Sequence, residues 1–220
     1  MASDDVAPVV RKLVDPPEEQ VERVVDLLLR VFDGDNAMES FSGQDKAIER
    51  LIYTLTIRKT LQSGECYVAR SPRSSEIYGV ATWLAPGIDW DFHNDPTFLA
   101  ALDPALREWY NEHYASKYNE LHRCLDVPKN EKGTWTLTFL AVAPESRRKG
   151  VGRALVDVIS KKALSNNQSI ILDVRDPTVV QFFQRLGFKY RCVKNVVSRG
   201  SPGFPIWRMY KDPSSTAASR

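Results

Sequence analysis

Residues 134–164 restrict this chain more than any other segment: an alternating apolar run, a short basic turn with two glycines, and an apolar stripe of helical period. In Thr134–Val142 (TWTLTFLAV), Trp135, Leu137 and Phe139 alternate with Thr136 and Thr138, the period-two pattern of a half-buried strand. From residue 150 the period changes, and Val151, Ala154, Leu155, Val158 and Ile159 line one face of a helix over 150–164. The turn between them, APESRRKGVG, gathers Arg147, Arg148, Lys149 and Arg153 around Gly150 and Gly152. A helix N-terminus presents about four unpaired N–H groups and roughly half a positive charge, and glycine carries no side chain to hold a ligand away from them. That combination suits a diphosphate. Neither the Walker pattern GxxxxGK[ST] nor the dinucleotide fingerprint GxGxxG is present; RxxGxG stands in their place.

Upstream, residues 8–15 (PVVRKLVD) read as an edge strand ended by Pro16 and Pro17. These prolines open a helix over 17–32 whose inner face is Val21, Val24, Val25, Leu28 and Phe32. DGDNAMESFSG reads as a loop, with Ser42 as the N-cap of a second helix that turns Ile48, Leu51, Ile52 and Leu55 inward and stops at Gly64. Cys66–Arg70 and Ile77–Leu84 form a hairpin across SPRSSE. The loop APGIDWDFHNDP leads into a helical stretch over 97–124, broken near Asp103-Pro104 because a residue before proline avoids helix. Beyond the basic turn, 169–174 is a strand. Pro177 starts a helix carrying Val179, Phe182, Phe183 and Leu186 that Gly187 stops, and Phe188–Val193 and Ile206–Tyr210 close the sheet. No repeat and no shift in composition divides the chain, so one domain over 1–212 with a flexible tail at 213–220 is expected.

Charge and cysteine usage narrow the partners. Thirty basic side chains against 28 acidic ones leave a net charge of +2, too small a footprint for nucleic acid, so any anion site has to be local. No run approaches the roughly 18 apolar residues of a membrane helix, and MASDDV has neither a basic n-region nor an apolar h-region. A cytoplasmic protein with no nucleic-acid and no membrane partner is expected. Cys66, Cys124 and Cys192 are odd in number and far apart, and His93, His113 and His122 do not cluster, which predicts three free thiols and no metal. Cys124 beside His122 is read as packing rather than as a nucleophile.

The segment Leu140-Ala-Val-Ala-Pro-Glu-Ser-Arg147-Arg-Lys-Gly150-Val-Gly152-Arg-Ala-Leu155 resembles the acyl-coenzyme A signature of the Gcn5-related N-acetyltransferases (GNAT). Leu172-Asp-Val-Arg-Asp-Pro-Thr-Val-Val-Gln-Phe-Phe183-Gln-Arg-Leu-Gly187-Phe188 resembles the strand and helix that follow it there. Val80-Ala-Thr-Trp83-Leu-Ala-Pro-Gly87, Trp135 and Pro205-Ile-Trp207-Arg-Met209 are similar to segments of puromycin N-acetyltransferase-like enzymes and their fungal relatives. The resemblance implies an α/β (α+β) GNAT fold, a mixed central sheet of about six to seven strands flanked by helices, with strands four and five splayed apart.

It also implies acetyl-CoA as cosubstrate. Leu140, Ala141 and Val142 would then run along the pantetheine, and Arg147, Arg148, Lys149, Gly150, Val151, Gly152 and Arg153 would surround the pyrophosphate. Asp176 would accept a pantetheine N–H, and Phe183 stands where many relatives place a tyrosine acid. Thr136 and Thr138 occupy positions where relatives often have a carboxylate or histidine, which leaves the general base open among Asp89, Asp91, Glu39, His122 and Glu131. The acceptor cleft is expected between the first two helices and the 85–125 segment, with Trp83, Trp90, Phe92, Trp109, Tyr110, Tyr114 and Tyr118 as its aromatic supply. The implied activity is direct acetyl transfer to a primary amine, that of a small molecule, by a monomer or homodimer. A peptide or protein acceptor, or a coenzyme A-binding module with impaired catalysis, are the alternatives.

Overall fold

In the computed structural model, which describes residues 8–71, 76–124, 133–198 and 203–213, seven strands form one mixed sheet. They are β1 (Val9–Lys12), β2 (Gly64–Arg70), β3 (Ile77–Leu84), β4 (Thr134–Val142), β5 (Ser169–Val174), β6 (Lys189–Val196) and β7 (Phe204–Lys211), in the spatial order β1-β2-β3-β4-β5-β7-β6. β1 to β4 pair antiparallel in sequence order, β4 and β5 run parallel, and β7 lies antiparallel between β5 and β6. The parallel pair follows from the helix that joins it, α7 (Val151–Ser165), because strands linked through a crossover helix return in the same direction.

Helices cover both faces. On one face lie α1 (Glu18–Val31), α2 (Asn36–Ser42), α3 (Lys46–Ser63), α4 (Pro96–Ala101), α5 (Pro104–Trp109) and α6 (Ala115–Arg123), packed with Val68, Val80, Phe139 and Ala141 of the sheet. On the other, α7 and α8 (Pro177–Arg185) pack on Ala81, Trp83, Trp135, Leu137 and Leu172. No helix among the described residues is long and apolar enough to cross a membrane.

Two local expectations are corrected. The segment DGDNAMESFSG is not a loop: it contains α2, because the Asp35 carboxylate accepts the Met38 N–H at 2.9 Å and Gly43, at φ 63°, closes the C-terminus in the left-handed region. Ser42 is therefore the last residue of α2, and Asp45 caps α3 by accepting from the Ala47 N–H. The break at Asp103-Pro104 is present, with Asp103 capping α5, but a π-turn over Tyr110–Tyr114 further divides the stretch.

The feature that shapes the site lies inside β4. The β3–β4 register shifts between Thr82 and Trp83: Thr82 faces Phe139 and Trp83 faces Leu137, so Thr138 is an extra residue, a bulge. An extra residue moves every later side chain to the opposite face. Trp135 and Leu137 accordingly join the α7–α8 core, whereas Phe139 and Ala141 join the α1–α6 core. The reading of Trp135, Leu137 and Phe139 as a single face is corrected at this point. Threonine hydroxyls satisfy the disrupted ladder: Phe139 N–H donates to Thr82 Oγ1 at 2.9 Å, and Thr138 Oγ1 donates to the Thr82 carbonyl at 3.0 Å. Thr82 is fully buried.

Replacing Thr82 by Val keeps the shape and strands the Phe139 N–H, which is expected to cost about 1–3 kcal/mol in urea unfolding, with Thr82→Ser recovering most of it. Equal stability of Thr82→Val and the parent chain would show that the bulge does not depend on this hydroxyl.

Candidate active site

The parallel ladder between β4 and β5 runs from Thr134↔Ser169 only to Leu137↔Leu172. β4 then bends at the Thr138 bulge while β5 stays with β7, where Asp173 faces Arg208 and Val174 faces Trp207. The strands therefore part. Phe139 N–H and Ala143 N–H both point back toward β3. By strand alternation, the backbone groups of Leu140 and Val142 face the opening instead.

At its far end β4 meets the basic turn. Arg148 has φ 65° and Gly150 has φ 77°, two left-handed residues within three positions. Gly150 is the N-cap of α7 and offers no side-chain cap, so the first amides of the helix have no side-chain acceptor. A Cβ on Gly150 would meet nothing within 4 Å, whereas one on Gly152 would lie 3.2 Å from Phe182 Cζ. Gly150 is thus open to the outside, and Gly152 is shaped by contact with α8 as well. Arg148, Lys149 and Arg153 are exposed, Val151 is buried in the α7 core, and Arg147 donates from Nε to the Val142 carbonyl at 3.2 Å. An open strand edge whose backbone groups face away from β3, with the Val142 carbonyl held by Arg147, ending at a helix N-terminus without a side-chain cap, is a fit for an extended amide chain that terminates in a diphosphate.

Two cavities flank the opening and share Leu137, Thr138, Phe139, Leu172, Asp173 and Arg175 as a common wall. The smaller, about 110 Å³, is completed by Phe32, Asp35, Met38, Leu140, Asp176 and Phe183 among others. Phe183 is buried between the rings of Phe182 and Phe188, at centroid distances of 5.0 and 5.5 Å. The Asp176 carboxylate caps α8, accepting from Thr178 N–H at 2.8 Å and Thr178 Oγ1 at 2.9 Å.

The larger cavity, about 310 Å³, is lined by the 84–92 loop, Tyr118, His122, Thr134, Thr136, Thr56 and Arg208. Of the five carboxylate and imidazole candidates, Asp89, Asp91 and His122 meet here. Glu39 lines neither cavity, and Glu131 falls outside the described residues. The aromatic expectation is corrected in part. Of the expected aromatics, Trp90, Phe92 and Tyr118 reach the cavity; Trp83 belongs to the α7–α8 core, and Trp109, Tyr110 and Tyr114 pack with Phe41 in the core behind Tyr118 and Phe92.

Asp91 is committed to its neighbours: its Oδ1 lies 2.6 Å from His93 Nδ1 and accepts the His93 N–H at 3.2 Å. Burial works against its charge, but the His93 hydrogen bonds keep its carboxyl below the ordinary carboxylate range. His122 moves down as well, because burial and then the Arg208 charge disfavour the imidazolium, against a smaller pull from Asp173, Asp89 and Asp91. Three residues that sequence reasoning did not single out complete the wall. Asp173 and Arg208 form a bidentate pair across β5 and β7, at 2.7 and 2.6 Å, and Arg175 follows at the end of β5. The available signal was a charged residue inside apolar strands, in ILDVR and IWRMY.

Residues 112–190 match the family model described as an acetyltransferase (GNAT) domain. They include the opened strand, the basic turn and α8. The GNAT fold extends over nearly the whole chain. A Corynebacterium glutamicum structure described as histone acetyltransferase HPA2 and related acetyltransferase aligns with a TM-score of 0.65 at 23% identity, covering 94% of this chain and 97% of that one. Arylalkylamine N-acetyltransferase 2 from Aedes aegypti aligns at 0.64 and 17% identity over 93% and 99%. The ribosomal-protein-S18-alanine N-acetyltransferase of Escherichia coli aligns at 0.54 and 13% identity, over 93% of each chain. At these identities the likeness is one of fold. No curated protein matches the chain.

The left-handed Arg148 holds the turn in a conformation that costs a non-glycine residue about 1–2 kcal/mol. Arg148→Gly is expected to raise the melting temperature, by up to about 1 kcal/mol of stability, and Gly150→Ala to lower it by a similar amount. Shifts of the same sign in calorimetry would show that the turn does not hold these dihedrals in solution.

Proposed function

We propose that the protein is an acetyl-CoA-dependent N-acetyltransferase that transfers the acetyl group directly to the primary amine of a small molecule. One observation carries the reading: the opening between β4 and β5 is the common wall of a narrow cavity on the α8 side and a larger, polar and aromatic cavity on the α6 side. Two reactants can therefore meet edge to edge across Leu137–Phe139 without a covalent intermediate on the chain. Bringing both into one cleft is itself worth several kcal/mol of barrier, of the order of 7–11 in the best cases.

The cosubstrate supplies the thioester carbon and a thiolate leaving group. The chain supplies the rest. Leu140 and Val142 offer backbone N–H and C=O groups along the opening, and the α7 amides with Arg147, Arg148, Lys149 and Arg153 form the anion cradle. The Leu140 N–H is the donor suited to polarise an acyl oxygen. In this reading His122 takes the amine proton as the C–N bond forms and the C–S bond breaks. It is neutral near pH 7, whereas Asp91 is spent on His93, and it reaches the same cavity as Asp89. With Phe183 in place of a hydroxyl-bearing ring, the departing thiolate takes its proton from water; a thiol with a pKa of about 8.5 needs little help.

The test is release of free thiol from acetyl-CoA with a panel of amines, with acetylated product identified by mass spectrometry. Binding without turnover across the panel would favour the impaired-module alternative. Because burial and Arg208 lower the His122 pKa, kcat/KM is expected to hold through pH 7 and to fall on the acid side, below the ordinary histidine value of about 6.5. His122→Gln should lower kcat/KM about 10²-fold and flatten that limb. A preserved limb would move the proton transfer to Asp89 or to a water. Phe183→Tyr is expected to raise kcat, by at most about 10²-fold, if the ring edge faces the cavity. A lower melting temperature with no gain in kcat would assign the ring to the core alone.

A further inference from the structure

Resting on the transferase reading above, we propose that the acceptor is an amino acid, an amine that carries its own carboxylate, and that Arg175 is the residue that selects it. Arg175 stands in the wall between the two cavities. Its Nε is buried without a hydrogen-bond partner, and its guanidinium rests on the Phe41 ring, 5.0 Å from the centroid. A buried donor left unpaired costs about 1–3 kcal/mol, more when it is charged, unless a ligand completes it.

The carboxylates around it are already taken. Asp173 is held by both arms of Arg208, Asp91 by His93, Asp35 caps α2, and Asp176 caps α8. Among the described residues no carboxylate hydrogen-bonds Arg175, which has an aromatic face and feels the Asp91 charge only through space. Asp89 is the complementary charge: it is an exposed carboxylate on the lining of the same cavity, and no side chain among the described residues bonds it. Arg208 reinforces the cationic end, since it is 4% exposed and its Nη1 has no partner after the Asp173 pair is made.

A cavity of about 310 Å³ lined by the Asp89 carboxylate, the Arg175 and Arg208 guanidinium groups, and Trp90, Phe92 and Tyr118 is complementary in its groups to a zwitterion with an apolar or aromatic side chain. A simple arylalkylamine would satisfy Asp89 and the rings and leave Arg175 bare. The site would hold the carboxylate on Arg175 and direct the amino group toward Asp89 and His122; the ammonium form gives one proton to solvent before attack, and the free amine gives a second to His122 as the C–N bond forms and the C–S bond breaks.

The experiment compares kcat/KM for matched acceptors on the full chain: phenylalanine, tyrosine and tryptophan, their amides and methyl esters, their decarboxylated amines, and a peptide with an N-terminal aspartate. At least a tenfold preference for a free amino acid over both its amide and its decarboxylated amine is expected, carried mainly by KM. Arg175→Gln should bring that ratio toward one, and Arg175→Lys, which keeps the charge, should retain part of it. Equal or faster acetylation of the decarboxylated amines by the parent chain overturns the proposal, as does a preference for the acidic peptide over every free amino acid. Failure of the whole panel while acetyl-CoA still binds, seen by calorimetry, also overturns it. If acetyl-CoA does not bind either, the transferase reading falls with it.

Discussion

The site depends on a single backbone donor finding an unusual acceptor. Phe139 N–H bonds the hydroxyl of Thr82 rather than a strand carbonyl, and that exchange admits Thr138 as a bulge. A bulge bends its strand and raises its twist. It falls one residue after the last β4–β5 partner, so β4 leaves its neighbour there while β5 continues against β7. The opening, the change of side-chain face and the common wall of the two cavities all follow. Without the buried hydroxyls, the orphaned groups of the bulge would make a regular ladder the cheaper structure.

Electrostatics then divides the labour around the opening. The turn at 147–153 places its cations outside, where solvent screens them and their worth lies in a local field near the helix N-terminus. Inside, charges are mostly paired before any ligand arrives: Asp173 with Arg208, and Asp91 with His93. Pairing is what makes buried charge tolerable, since desolvation of an isolated ion costs several kcal/mol. Against that background Arg175, half-buried with its Nε unpaired, and the exposed Asp89 stand apart as charged groups of the cavity that no side chain among the described residues hydrogen-bonds.

The structural neighbours bear names that point to histones, arylalkylamines and a ribosomal protein, on one shared fold at 23% identity or less. A fold that serves such different acceptors does not choose among them. In the proposed reading the choice rests with the side chains of the α6-side cavity, which come from the 84–92 loop, α6 and the ends of β5 and β7.

The sequence by itself determined the elements whose signals are local. The period of two in TWTLTFLAV, the apolar stripe after Gly150, and the Pro177 and Gly187 boundaries all reappear as β4, α7 and α8. So does the RxxGxG turn, because a left-handed glycine before a helix is written in the residue type itself. Only the tertiary structure decided what depends on residues far apart in the chain. The bulge needs Thr82 opposite Thr138, so strand alternation in β4 alone put Phe139 on the wrong face. Asp45, rather than Ser42, caps the helix that carries Ile48 and Ile52, since several acceptors near a helix start compete and the packed geometry picks one. Glu39 and most of the expected cleft aromatics are drawn away from the cavity, and Asp173, Arg175 and Arg208 enter it, because a charge in a strand reads as a surface residue until its partner across the sheet is known.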